Sequence, residues 1–121
     1  MRPVPTEVAR GLLPAQVPHP EAAADAGRAA LLVAALAGQP EHLWRATRDY
    51  LHQEHRRTAM PDSLALVDAL RADGVPAVVS GAGPSVLAFT DRSAATGLAG
   101  RCPDGWVAHH LEVEHEGARL G

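Results

Sequence analysis

The side chains of this sequence most suited to chemistry are two arginines and a glycine loop. Arg10 and Arg56 each offer a planar fork of donors that fits a carboxylate or a phosphate. Thr6 precedes Arg10 by one helical turn, so the two could face one site. Ser80-Gly81-Ala82-Gly83-Pro84-Ser85 joins two apolar runs through a turn in which glycine flanks a small alanine. Such a loop lets backbone approach backbone or a ligand closely. Two readings stand for it: a plain hairpin turn, or the wall of an anion site, with Ser80 and Ser85 as small donors.

Other candidates are weaker. His52 and His55 lie one turn apart, but no third ligand accompanies them at a suggestive spacing, so they read as helix-surface histidines and no metal is expected. His109 and His110 alternate faces of a strand and cannot share an ion. Cys102 is the only cysteine, which excludes an internal disulfide or a cysteine-based zinc site. No Ser-His-Asp or Cys-His arrangement stands out, and no catalytic residue is assigned within this chain.

These residues need a scaffold. The 121 residues suit one domain with its own core. Hydrophobic residues make up 46% and charged residues 21%, which argues against disorder. Aromatics are only 3%, so the core must be built from Ala, Val and Leu. All 11 basic residues are arginine, which excludes any mechanism that needs a lysine of this chain. The net charge is -3 and the arginines are scattered, so no nucleic-acid partner is expected. No apolar signal core or membrane span is seen, which fits a reducing cytoplasm.

The patterning predicts an α+β domain. Thr6 to Leu13 reads as a short helix with Thr6 as N-cap and Val8, Leu12 and Leu13 along one side. Glu21 to Leu36 reads as a long helix with Leu31, Leu32, Val33 and Leu36 buried. A second long helix is expected from Pro40 to about His55, with Leu43, Thr47, Tyr50 and Leu51 inward and Arg56 at its end. Pro61 opens a third, with Leu64, Val67 and Leu70 as its core stripe and Gly74 closing it. Strands are expected at Val75 to Val79, Val86 to Thr90 and Trp106 to Val113, with a short helix from Ser93 to Gly100. One more strand in front would give a ferredoxin-like antiparallel sheet with added helices. Only Arg2 to Val4 could supply it, between two prolines, so that first strand reads as largely missing. Exposed strand edges and a tendency to aggregate are then expected.

Three segments together carry a resemblance. Val4-Pro5-Thr6-Glu7-Val8-Ala9-Arg10-Gly11-Leu12-Leu13-Pro14 resembles a V-S-T-x-x-A-R-x-x-L-P segment of homoserine kinases. His52-Gln53-Glu54-His55-Arg56-Arg57-Thr58-Ala59-Met60-Pro61 resembles their H-x-x-Y-R-x-x-x-x-P segment. Ser80 to Ser85 is similar to the third motif of the GHMP kinase superfamily, S-G-[AS]-G-P-[ST]. Order and approximate spacing agree, as does the Gly117-Ala118-Arg119 ending. Pro5 stands where the family often has Ser, and His55 where it often has Tyr.

The resemblance covers residues 1–121 but only the C-terminal part of the family. It implies ATP- and Mg2+-dependent phosphorylation of the γ-hydroxyl of L-homoserine, in threonine biosynthesis, by a cytoplasmic enzyme that forms a possible homodimer at full length. It also implies that Thr6, Arg10 and Arg56 contact homoserine, with the arginines on its carboxylate, and that the glycine loop lies near the reacting centre. The family's phosphate-binding loop and N-terminal ATP-binding domain have no counterpart in these residues. The chain is therefore expected to bind neither ATP nor Mg2+ securely and to be inactive alone. The alternative is a stand-alone ferredoxin-like module that binds an amino acid or a partner without catalysis.

Overall fold

The computed structural model describes residues 3–114 and 116–119. They fall into two compact units, residues 1–90 and 91–121. The first holds helices α1 (Thr6–Gly11), α2 (His19–Gly38), α3 (Leu43–Ala46) and α4 (Pro61–Ala72), with strands β1 (Ala77–Val79) and β2 (Val86–Ala88). The second holds helix α5 (Ala95–Ala99). The strands form a two-stranded antiparallel sheet in which Val78 faces Leu87 and Val79 faces Val86. The α+β class is as expected.

The core lies between α4 and β1. Leu64, Val67 and Leu70 are buried at helical spacing, together with Ala77 and Val79 of the strand. Pro61 stands at the start of α4, where its missing N–H costs nothing, and Asp62 suits the positive end of the helix dipole. Past Asp73, Gly74 turns the chain at φ 80°, and Val75 N–H donates back to Leu70 O at 3.0 Å. Arg71 clamps the neighbouring elements: it donates to Thr47 Oγ1 at 2.7 Å, Trp44 O at 2.6 Å and Ala77 O at 3.3 Å.

Several expectations are corrected. The N-cap of α1 is Pro5 and not Thr6, because the polyproline-like backbone of Pro5 places Thr6 already inside the first turn. On α1 only Ala9 is buried, and Val8 is exposed. In α2 the buried residue is Ala35, while Val33 and Leu36 are 70% and 56% exposed. The pattern there is apolar over too wide an arc for one packing face to cover.

The helix expected from Pro40 to His55 is broken. A 3-10 turn (Pro40–His42) leads into the four residues of α3, and a second 3-10 turn (Glu54–Arg56) follows a bend. Side chains compete with the helix for its backbone groups here. Thr47 Oγ1 donates to Leu43 O at 2.7 Å. The Asp49 carboxylate accepts the N–H groups of His52 at 2.8 Å and Gln53 at 2.6 Å, and Asp25 takes that of Tyr50 at 3.1 Å.

The segment expected as a strand at Trp106 to Val113 has no strand assignment or strand partner among the described residues. Val107, Leu111 and Val113 are each more than 70% exposed. Alternation supplies a strand pattern, but a strand also needs a neighbour for its ladder. Among the described residues the expected ferredoxin-like sheet is thus represented by the β1–β2 hairpin alone. Of the front segment, Arg2 lies outside the described residues, and Pro3 and Val4 are not in a strand. No helix among the described residues is long and apolar enough to cross a membrane.

Candidate substrate site at the glycine loop

The β1–β2 connection is a tight loop closed on itself. Ser80 N–H donates to Ser85 O at 2.8 Å and Gly83 N–H to Ser80 O at 3.0 Å. Gly81 and Gly83 sit at φ 58° and 81°, in the left-handed region that favours glycine, and the Gly83–Pro84 peptide is cis. Gly83 also meets a space requirement. A Cβ there would lie 2.5 Å from Met60 Sδ and 3.0 Å from Val79 Cγ1.

Three side chains from the segment before α4 and from α4 itself hold this loop. Arg56 is buried and donates through Nη1 to Gly81 O at 3.1 Å. Ser63 is buried and donates to Pro84 O at 2.6 Å. Gln53 Oε1 accepts the Val79 N–H at 2.5 Å. Asp49 in turn fixes Gln53 through its backbone N–H. Burial pushes the Asp49 carboxyl up, but hydrogen bonds from Gln53 and His52 outweigh it and hold the group below the usual carboxylate range.

Asp49, His52, Gln53, Arg56, Val78, Val79 and Gly81 line an open cleft of about 400 Å³. Arg56 therefore reaches both the cleft and the glycine loop. Its Nε is buried without a hydrogen-bond partner among the described residues. The Ser80 and Ser85 hydroxyls are exposed and make no hydrogen bond among the described residues. The arrangement can seat an anionic group beside a close-approach backbone turn. It does not fit a magnesium ion: both Asp49 oxygens are engaged by N–H groups and His52, and among the described residues no three His, Cys, Asp or Glu cluster to hold a metal.

Of the residues singled out from the sequence, the structure joins Arg56 to Ser80–Ser85. It does not join Thr6 or Arg10 to them. Both are exposed on α1 and neither lines the cleft. His52 lines the cleft, with Nδ1 at 3.0 Å from Asp49. Asp49, Gln53, Met60 and Ser63 were missed. Only Asp49 left a signal, as an acceptor just ahead of a short helical turn.

Residues 21–107 match the family model for the GHMP kinases C terminal. The chain belongs to this family. Several curated relatives of high identity are homoserine kinases. The chain is 58% identical over 115 residues to a homoserine kinase of Streptomyces avermitilis, covering 95% of the chain and 38% of the relative. It is 55% identical over 119 residues to a homoserine kinase of Streptomyces coelicolor, covering 98% of the chain and 38% of the relative. A homoserine kinase of Cutibacterium acnes is 48% identical over 108 residues, covering 89% and 36%. The chain thus spans less than two fifths of the length of these relatives.

Proposed function

We propose that residues 1–121 are the substrate-binding C-terminal part of a homoserine kinase, which phosphorylates L-homoserine to O-phospho-L-homoserine with ATP and Mg2+ in threonine biosynthesis in the cytoplasm. The observation that carries the reading is Arg56, whose guanidinium donates to Gly81 O and which lines the same cleft. It ties the second family-like segment to the third. The similarity to homoserine kinases over most of the chain supports it independently.

Phosphoryl transfer asks the protein mainly for positioning and charge stabilisation. This chain's part is positioning. Arg56 would receive the homoserine carboxylate, with Arg10 and Thr6 of α1 as further contacts, and the glycine loop would border the reacting hydroxyl. Bound ATP supplies the phosphoryl group, but the residues described here do not fit the nucleotide's metal. The chain alone is therefore expected to be inactive, and a homodimer belongs to the full-length enzyme.

The test is a chimera in which this chain replaces the matching C-terminal part of the Streptomyces coelicolor homoserine kinase. Homoserine-dependent ADP release is expected from the chimera and not from the chain alone. Arg56→Ala should raise KM for homoserine by about tenfold or more, as loss of a charge-assisted pair does, and Arg56→Lys should restore little of it. A folded chimera without turnover, or Arg56→Ala with unchanged KM, would refute the proposal.

A further inference from the structure

A second cleft, of about 560 Å³, lies between α2 and the segment that carries α3. Arg28, His42, Arg45 and Arg48 line it, with Ala24 and Leu31 supplying apolar wall. It shares no lining residue with the cleft at the glycine loop. Three arginines line it in a chain whose net charge is -3, and the nearest carboxylate is Asp25, paired with Arg28.

Arg28 is paired with Asp25 and stacked over the Tyr50 ring at 4.5 Å, whereas Arg45 and Arg48 are exposed. Arg28 Nη1 is buried without a hydrogen bond among the described residues and forms an ion pair with Asp25 at 3.7 Å. Arg28 Nη2 reaches the Tyr50 hydroxyl only at 3.5 Å. Asp25 is itself committed, with both oxygens at 3.1 Å from Tyr50 N. Arg48 packs over the Trp44 ring at 5.9 Å. Arg45 has no side-chain hydrogen bond or ion pair among the described residues. The positive field extends to neighbouring groups: the Tyr50 hydroxyl is acidified by a hydrogen bond from Arg28 and by the charges of Arg28 and Arg48. Arg71 is held below the usual arginine range by burial and by the same two cations.

We propose that this cleft binds a small phosphate monoester, with its phosphate on Arg28, Arg45 and Arg48 and its organic part against Ala24 and Leu31. A monoester brings about two charges and three acceptor oxygens, which suits three forks, whereas a carboxylate offers one charge and two oxygens. The proposal does not depend on the kinase reading of the glycine loop.

The test is an amide NMR titration of the purified chain at low ionic strength, with glycerol 3-phosphate as probe and acetate at matched ionic strength as comparison. Saturable shifts are expected at residues 24–31 and 42–48. Arg45→Ala/Arg48→Ala should weaken binding by about tenfold or more, whereas Arg56→Ala should leave it unchanged. The amide spectrum reports folding in the same experiment, and Arg48→Gln serves if the double variant unfolds. Absence of saturation, affinity unchanged in the arginine variants, loss in Arg56→Ala, or equal affinity for acetate would each overturn the assignment.

Discussion

Adding one methyl group at Gly83 tests how the glycine loop is built. Its φ of 81° places alanine in a region that costs an L-residue about 1–2 kcal/mol. The new Cβ would also stand 2.5 Å from Met60 Sδ, 2.9 Å from Met60 Cε and 3.0 Å from Val79 Cγ1. The methionine end is flexible, but Met60 is buried and Val79 is held in the sheet, so relief requires repacking. Overpacking of this kind costs about 1–3 kcal/mol, giving about 2–5 kcal/mol in total for Gly83→Ala. Gly81 is the control. Its φ of 58° is also left-handed, yet a Cβ there meets nothing within 4 Å, so Gly81→Ala should cost only the backbone term of about 1–2 kcal/mol. Urea unfolding of the two variants measures the difference, and Met60→Ala combined with Gly83→Ala should recover part of it. Equal costs for the two glycines, or no coupling between Met60 and Gly83, would refute the close-packing argument.

Two further predictions concern charge and exposed strand surface. The Asp49 carboxyl lies below its ordinary value in the folded chain, so its contribution to stability is complete above that value and is lost as pH falls toward the folded one. Asp49→Asn should flatten part of the stability loss between about pH 5 and pH 2, the carboxylate range, and an unchanged acid limb would contradict the assignment. The segment around Val107, Leu111 and Val113 exposes apolar side chains without a paired strand among the described residues. Leu111→Lys should therefore lower aggregation measured by light scattering without lowering the unfolding midpoint, and equal scattering from both proteins would count against an edge-pairing cause.

The parts of the fold legible in the sequence are those where one periodicity and one pair of end signals agree. Helix α4 has Pro61 at its start, Leu64, Val67 and Leu70 at helical spacing, and Gly74 after its end, and all of these act as expected. Helix α2 was legible as a helix but not in its buried face. Leu31, Leu32, Val33 and Leu36 occupy too much of its circumference, and sequence alone does not say which arc a neighbour will cover. The 106–113 strand failed for a different reason. Alternation is a local property, while pairing depends on another segment. At the site, the glycine loop was legible because positive φ demands glycine. Ser63 and Gln53 were not, because a serine or glutamine that caps a loop 21 or 26 residues away leaves no spacing to read.

The broken helix is what brings Arg56 to the loop. A continuous helix from Pro40 rises about 1.5 Å per residue, so it would carry residue 56 about 24 Å from its start. That rise ends after α3, ahead of Asp49, whose carboxylate takes the N–H groups of residues 51–53. Asp25 then pins Tyr50 to α2, while Asp49 winds residues 51–53 into a turn. Gln53 leaves that turn bound to β1, and Arg56 follows bound to Gly81. The misjudged helix and the candidate site therefore have one cause. Polar side chains that compete with helical hydrogen bonds fold the segment back, and the arginine is fixed by its neighbours on both sides instead of by a helix end. A guanidinium held in this way has little rotamer freedom left to lose on binding a carboxylate, so the proposed function favours Arg56 over the exposed Arg10 as the carboxylate anchor.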